Sequence, residues 1–522
     1  MAAFFWTQFA GAFNDNFYKN ALILWISFGA PGLEPGLRNT LIILCSGIFI
    51  LPFFLFSATA GWLADSQSKD RVIRWTKLAE ILIMGAGAMA FLAGSIPALI
   101  IVLFFMGAQS AWFGPAKYGV IPELVPEENL LRANGLVAMG TFVAILTGTL
   151  FGGMAGSLND GRILAACSVV LIAVFGWLAS LKIPRLGAKA PGTLRAGGWI
   201  CETGIRLGEI RRETRIFPLL VAISWFWFHG AFILQLLPIH IMHAGENTIL
   251  PAALDWMHGS AGMAGSQVTL SLLLFSGGIG IGSMIPGRRK TRHIETASSV
   301  WALGLLSLTA MLVPLVEDIF PVVFCILALS GIAAGLYSVP LYAAIQATAR
   351  PAIRARIFSG GNILDAGFMV GASLLMQVLE MTRIAPVQRF LVLGLLDLAF
   401  LAVWIRKRSD LVERVRLRFL QDTRRELLGH PDGPAVFLYP GTVTKSGMAS
   451  LALSFSCLPA GYRGETVPQD EWNRLLASDV SIIQPEGVTV PAGIPVFIIR
   501  LEPSGFVCHP AEPGVTAPAN KV

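Results

Sequence analysis

The sequence predicts an all-α membrane protein of two six-helix bundles, followed by a small C-terminal cytoplasmic α+β appendage. Three observations predict it: too few charges for a soluble surface, twelve apolar stretches of membrane-crossing length, and basic residues concentrated in alternate loops. Charged residues are 14% of the 522 and hydrophobic ones 54%, against about 25% charged in a typical soluble domain. Lipid-facing helices need no charges, so the membrane class follows before any motif is read.

A helix needs about 20 apolar residues to cross the hydrocarbon. Such stretches fall at 4–28, 39–63, 72–95, 97–117, 133–157 and 161–182, and again at 217–242, 266–286, 296–315, 319–345, 359–380 and 386–405. Six and six suggest internal duplication, a common transporter plan. The domains expected are 1–182, a cytoplasmic linker 183–216, a second bundle 217–406 and a C-terminal domain 407–522. The first stretch lacks a basic leader and a cleavage site, so it reads as a membrane helix and not a signal peptide.

The net charge of +7 is an orientation signal, not a nucleic-acid footprint. Lys69, Arg71 and Arg74 follow span 2. Arg288, Arg289, Lys290 and Arg292 follow span 8, Arg350, Arg354 and Arg356 follow span 10, and Arg406, Lys407 and Arg408 follow span 12. The linker adds Lys182, Arg185, Lys189, Arg195, Arg206, Arg211, Arg212 and Arg215. The positive-inside rule then expects both termini and the linker in the cytoplasm. Beyond Arg406, Leu411–Leu428 reads as a basic amphipathic helix, Ala435–Tyr439, Val480–Ile483 and Val496–Leu501 as strands, and Pro510–Val522 as a disordered end.

Six cysteines without a CxxC pair and seven histidines without HExxH give no basis for disulfides, a metal or a cofactor. No GxSxG, GxxxxGK[ST] or HxxxxD motif is present, so neither an enzyme nor an ATP-driven pump is expected.

Polar residues inside spans are costly and therefore mark function by default. Asp15 lies about 16 Å into span 1 at 1.5 Å per residue. It stands between Asn14 and Asn16, and Lys19 shares its face at i+4 and could pair with it. A substrate or coupling cation, sodium or proton, is the functional reading; a structural ion pair is the plain one. Gly61 and Asp65 at the end of span 2, with Lys69 and Arg71 after them, could latch one conformation, Asp65 accepting hydrogen bonds from a neighbouring helix N-terminus. Lys117 and Tyr118 end span 4, with Glu123 beyond; Lys117 either snorkels to the surface or counters a phosphate. Glu80, Asp365 and Asp397 are intramembrane acids without an assigned partner, and Asn362 precedes Asp365. His229 reads as a satisfied packing group; Gln235 shares its span, and Gln346 ends the glycine- and proline-bearing span 10, and both join Tyr118, Asn362 and Asp365 as candidate substrate- or ion-binding residues.

The motifs then resemble a family. Gln8, Phe9, Phe13, Asn14, Asp15 and Asn16 resemble the QFxxAFxDN opening of bacterial lysophospholipid transporters of the major facilitator superfamily. The run from Gly114 to Leu124 resembles their SPAKYGILPEL segment, and Ala133 to Leu136, Ala144 to Leu146 and Gly152–Gly153 their ANGL…AIL…GG run. Ser224 to Trp227, Gly278 to Ser283 and Val339 to Ala343 resemble the branch fused to acyltransferase and acyl-carrier-protein synthetase domains. The resemblance covers 4–405. It implies a twelve-helix facilitator fold in the bacterial inner membrane that flips lysophospholipids to the cytoplasmic leaflet for reacylation. Asn14, Asp15 and Asn16 would then meet a headgroup or cation, Lys117 a phosphate, and Asp65, Lys69 and Arg71 would serve the gate. That branch has paired asparagines in span 11, where this chain has Gly361 and Asn362 before Asp365. The tail faintly echoes an acyltransferase core but lacks its catalytic histidine and aspartate near Tyr439–Thr444.

Two rival functions remain at this point. One is a proton-coupled exporter of a soluble or amphipathic compound. The other is a membrane anchor that recruits an acyltransferase or acyl-carrier-protein synthetase partner.

Overall fold

The computed structural model describes residues 1–29, 34–157, 161–187, 199–244, 262–288 and 296–407, and five short segments at 436–439, 458–459, 482–485, 496–502 and 505–510. The chain divides into two compact units, Met1–Trp404 and Ile405–Val522.

The first unit is helical. Its first half holds α1 (Ala2–Leu24, continued by a π-helical turn, Trp25–Gly29), α2 (Pro35–Ser66), α3 (Lys69–Ala93), α4 (Ile96–Leu124), α5 (Leu130–Ser157) and α6 (Gly161–Leu181). Then come α7 (Trp199–Arg212) and the second half: α8 (Phe217–Ala244), α9 (Gly262–Met284), α10 (Ala297–Leu312), α11 (Phe320–Thr348), α12 (Arg354–Met381) and α13 (Pro386–Lys407). The two halves use the same pairings. In the first, α1 packs on α5, α2 on α4 and α3 on α6; in the second, α8 packs on α12, α9 on α11, and α10 meets α13 through Ser307 and the Gly394 carbonyl.

Among the described residues, eleven helices are long and apolar enough to cross a membrane. The exception among the twelve expected is α1, where Gln8, Asn14, Asp15, Asn16, Lys19 and Asn20 interrupt the apolar sequence. Several helices outrun the apolar stretches read from the sequence. Helix α4 continues to Leu124 through Pro115 and Pro122, and α12 starts at Arg354, not at 359. Hydropathy measures the hydrocarbon crossing, whereas helical hydrogen bonding continues into the polar ends.

Local chemistry ends the helices where the chain must turn. Ser95 caps α4 by accepting from the Ala98 N–H, and Gly94 ends α3 in the left-handed region at φ +65°, a conformation a Cβ disfavours. Close helix approach uses small residues: a side chain at Gly331 of α11 would run into the Phe275 carbonyl of α9.

The linker is not merely polar. Helix α7 forms inside it and packs against α2 and α12, with Ile210 buried on the bare backbone of Gly360. One apolar anchor in a basic segment gives too weak a periodicity to be read from sequence alone.

The second unit carries a five-stranded sheet: β1 (Val436–Tyr439), β2 (Leu458–Pro459), β3 (Ile482–Pro485), β4 (Val496–Glu502) and β5 (Gly505–Pro510), in the order β2-β3-β1-β4-β5. Strand β1 runs parallel to β3 and β4, β2 runs parallel to β3, and β4 and β5 form an antiparallel hairpin. The three expected strands are β1, β3 and β4; β2 and β5 are additional. The expected helix Leu411–Leu428 and the terminal segment beyond Pro510 lie outside the described residues.

Candidate functional site

The polar residues of α1 reach a network in the interior of the first half. Glu80 of α3 sits at its centre, 2.6 Å from Lys77 Nζ, and accepts from Gln109 at 3.2 Å and Asn14 at 3.3 Å. Asn14 also donates to the Val169 carbonyl, and its own Oδ1 is buried without a partner among the described residues. Beside this network Asp15 accepts a 2.7 Å hydrogen bond from Ser110. The pairing of Asp15 with Lys19 is not made. Lys19 Nζ instead lies over the Phe49 ring, 5.9 Å from its centroid, since helical i,i+4 spacing puts two side chains on one face without bringing their tips together. Asn16 donates to the Ala12 carbonyl of its own helix.

Lys117 does not snorkel to the surface. Its Nζ donates to Thr141 of α5 at 3.1 Å and lies 5.4 Å from the centroid of the Tyr118 ring. No carboxylate pairs with it among the described residues. Asp15, Lys19, Lys117 and Tyr118 stand on packed helices of the first unit and are each only partly buried.

The second half contributes a separate set. Ser224 donates to Asp365 at 2.7 Å, and Asp365 is partly exposed. Behind it Asp397 is fully buried, held by Trp225 Nε1 at 2.8 Å and His229 Nδ1 at 2.9 Å. That contact occupies one ring nitrogen of His229; the other, Nε2, is buried without a partner among the described residues, so the expected satisfied packing group is only half satisfied. Gln235 bonds Ser373 and its own helix, away from this cluster.

Between the halves the helix ends close. Asp65 accepts from the backbone N–H groups of Ala355 and Arg356 at 3.0 Å each, and from Arg356 Nε at 3.1 Å. This is the helix N-terminus contact expected of it, made to α12. Gly61 lets Ser359 lie directly on α2. Lys69 pairs with Glu123 at 2.9 Å, both nearly inaccessible. Arg71 does not join them: it is exposed and stays on its own helix beside Gln67 and Trp75. Gln346 is not free to line the interior as expected. It is fully buried, exchanging hydrogen bonds with Asn134 at 2.6 and 3.1 Å and donating to the Tyr118 carbonyl. Above it the Tyr118 and Tyr342 rings stack at 4.5 Å and 6°, with Phe358 against Tyr118 at 5.3 Å. The buried Asn362 Nδ2 has no partner among the described residues and faces Gly114 of α4. A groove of about 730 Å³ runs between α5 and α9, lined by Arg132, Met139, Val143, Gly280, Ile281 and Arg288 among others.

Lys77, Gln109, Ser110 and Thr141 escaped the sequence reading, as did the Asn134–Gln346 pair. The i,i+3 spacing of Lys77 and Glu80 was the available signal. The amide pair spans 212 residues and has no local signature.

Residues 4–372 match the family model described as Major Facilitator Superfamily. The chain belongs to that superfamily. It is 27% identical over 421 residues to a Citrobacter koseri protein named lysophospholipid transporter LplT, covering 77% of this chain and 94% of the relative. It is 28% identical to proteins of the same name from Cronobacter sakazakii, covering 66% of this chain and 80% of that one, and from Escherichia coli, covering 68% and 82%. Among solved structures it is similar to the superfamily transporter FucP in an outward conformation, with TM-score 0.58, 14% identity and coverage of 78% and 98%. It is also similar to the human organic anion transporter MFSD10, with TM-score 0.56, 16% identity and coverage of 76% and 98%. These structural likenesses carry the facilitator fold alone.

Within this facilitator fold the Lys77–Glu80 pair is dry, and removing one member of such a pair strands the other charge at a cost of about 3–5 kcal/mol. Glu80→Ala is therefore expected to lower the thermal unfolding midpoint in detergent sharply. The double variant Lys77→Met/Glu80→Leu is expected to recover most of the loss. A double variant as unstable as Glu80→Ala would show that the pair holds more than its own charges.

Proposed function

We propose that this protein is a lysophospholipid flippase that carries its substrate to the cytoplasmic leaflet of a bacterial inner membrane by rocking one half against the other. The observation that carries the reading is Lys117, a cation deep in the interior with no carboxylate paired to it, in a chain related along most of its length to proteins named lysophospholipid transporters. An ammonium there supplies a point charge for a phosphate. Asn14, Asp15, Asn16 and Lys19 form the neighbouring wall, where a headgroup or a coupling cation binds. Asp65 with Arg356, Lys69 with Glu123, and Asn134 with Gln346 close the end toward the basic loops, which positive-inside assigns to the cytoplasm. The groove between α5 and α9 favours a lipid over a soluble cargo, because apolar Val143 and Ile281 are exposed beside Arg132 and Arg288. Anionic membrane lipids suit that combination.

Uptake of labelled lysophosphatidylethanolamine by proteoliposomes, under a sodium gradient and then a proton gradient, tests the reading. Wild type is expected to move the lipid under one of them, and Asp15→Asn to lose the gradient dependence. No movement under either gradient, with a soluble organic compound moving instead, would leave the exporter reading.

A further inference from the structure

The groove between α5 and α9 opens outward: Ile281 on its wall is 60% exposed. Arg132 lies in the first turn of α5, in the first half, and Arg288 ends the short turn Pro286–Arg288 after α9, in the second. Gly287 rests on the Arg132 backbone, where a Cβ would collide, so the seam between the halves brings the two arginines together. Both are exposed, and neither pairs with a carboxylate among the described residues, although Glu128 lines the same groove. Like charges drawn together at a seam are relieved by an anion between them.

The length of the groove says which anion. Val143 lies on α5 about 16 Å beyond Arg132 at 1.5 Å per residue, and one leaflet of hydrocarbon is about 15 Å thick. The groove is therefore one leaflet deep, with its cations at headgroup level and its apolar wall at the level of the acyl chains. The wall is also open. A Cβ at Gly277 would meet nothing within 4 Å, and one at Gly280 would only touch Met139. A soluble anion has no use for Val143 and Ile281, and a plain lipid-facing wall has no use for two arginines. The charged lining, Arg132 and Arg288 against Glu128, is net positive by one. A single phosphodiester with an uncharged headgroup matches it, and a zwitterionic lipid does not. Guanidinium groups suit phosphate by geometry as well as by charge, and basic pockets between membrane helices take anionic headgroups.

We propose that this groove holds a two-chain anionic phospholipid of the surrounding bilayer, of the phosphatidylglycerol type, in the leaflet that meets the basic loops, and that this lipid steadies the closed end of the protein. Its phosphate lies between Arg132 and Arg288, and a chain lies over Gly277 along Val143 and Ile281. The arginines belong to different halves, so opening this end separates them and breaks the bridge. The lipid binds the closed state better than the open one and shifts the balance toward it. It is a regulator and not the cargo, so the proposal does not rest on the flippase reading.

The test places the full chain in nanodiscs of phosphatidylcholine, alone or mixed with phosphatidylglycerol. Ala355→Cys reports the closed end through its rate of labelling by a membrane-impermeant maleimide, since Ala355 is fully buried there. Phosphatidylglycerol is expected to slow labelling about tenfold, a preference of about 1.4 kcal/mol for the closed state. Arg132→Gln with Arg288→Gln is expected to abolish the slowing. Gly277→Phe, which keeps both arginines and fills the groove from open space, is expected to abolish it as well. All three positions are exposed or unobstructed, so these variants should fold. Equal rates in the two kinds of nanodisc overturn the proposal. Slowing that survives Gly277→Phe would be a diffuse surface-charge effect, and slowing that survives the double arginine variant would come from a lipid elsewhere; either result removes the site. Equal slowing by one-chain lysophosphatidylglycerol, abolished by Gly277→Phe, would make the groove a port for cargo and also overturns the regulator.

Discussion

Lys117→Ala is expected to cut lysophospholipid uptake about a hundredfold while leaving the folded protein nearly as stable as wild type. Removing one partner of a desolvated charge pair costs about 2–5 kcal/mol, and each 1.4 kcal/mol is a factor of ten. A loss near 3 kcal/mol in binding the phosphate gives the hundredfold figure. The stability term is far smaller. Lys117 makes one hydrogen bond, to Thr141, and one ring contact, to Tyr118. The bond from a charged ammonium to a threonine hydroxyl is worth about 1.5–3 kcal/mol, and deleting the ammonium offsets most of it by relieving an interior charge that no carboxylate matches among the described residues. Thermal unfolding in detergent and uptake in proteoliposomes should therefore separate cleanly in this variant. Glu80→Ala is expected to behave in the opposite way, because Glu80 holds Lys77, Gln109 and Asn14 together. Full uptake by folded Lys117→Ala would remove the phosphate role from this residue and with it the main support for an anionic cargo.

What the sequence revealed and what it hid divide along a physical line. Span count, the two halves and the strands β1, β3 and β4 were legible, because hydropathy and periodicity are local properties of the chain. Lys117, Asp15 and Asp65 were legible as residues because a charge among apolar neighbours is anomalous wherever it ends up. Their partners were not. Asp65 could be assigned a helix N-terminus, but nothing in the sequence said that α12 would supply it, 290 residues away. Asp397 and His229 each looked solitary, and only the packing of α13 on α8 joins them. Gln346 reads as a binding candidate because a glutamine in an apolar helix looks available; a second amide, Asn134, occupies it. Helix α7 stays hidden for a related reason: its buried anchor Ile210 gains meaning only from the bare surface at Gly360.

Asp65→Ala is expected to open the end that α2 and α12 now close. The Asp65 carboxylate accepts three hydrogen bonds from the first turn of α12, two from backbone N–H groups that have no partner within their own helix. The positive end of the helix dipole adds to them. A charge-assisted hydrogen bond contributes about 1.5–3 kcal/mol, so even with water replacing part of the loss the closed state should weaken by about 2–4 kcal/mol. A shift of that size moves a two-state equilibrium by roughly 30- to 1,000-fold. Among the described residues the second half gives no equivalent latch to compensate. Its corresponding turn carries Gly280, Gly282 and Arg288 without an aspartate, and it meets the first half through the close approach of Gly287 to the Arg132 backbone. A cysteine introduced at Ala355, which is fully buried beneath Asp65, reports the change directly. Its labelling by a membrane-impermeant maleimide applied from the side of the basic loops is expected to accelerate at least about 30-fold in the Asp65→Ala background. Uptake should fall at the same time, because a transporter that cannot close this end cannot return to load. Asp65→Asn separates shape from charge: the amide keeps one acceptor oxygen but presents N–H groups to the N–H groups of α12, so it is expected to label nearly as fast as the alanine variant. Labelling at the wild-type rate in both variants would show that the Lys69–Glu123 and Asn134–Gln346 contacts hold this end shut without Asp65, and that the aspartate is no latch.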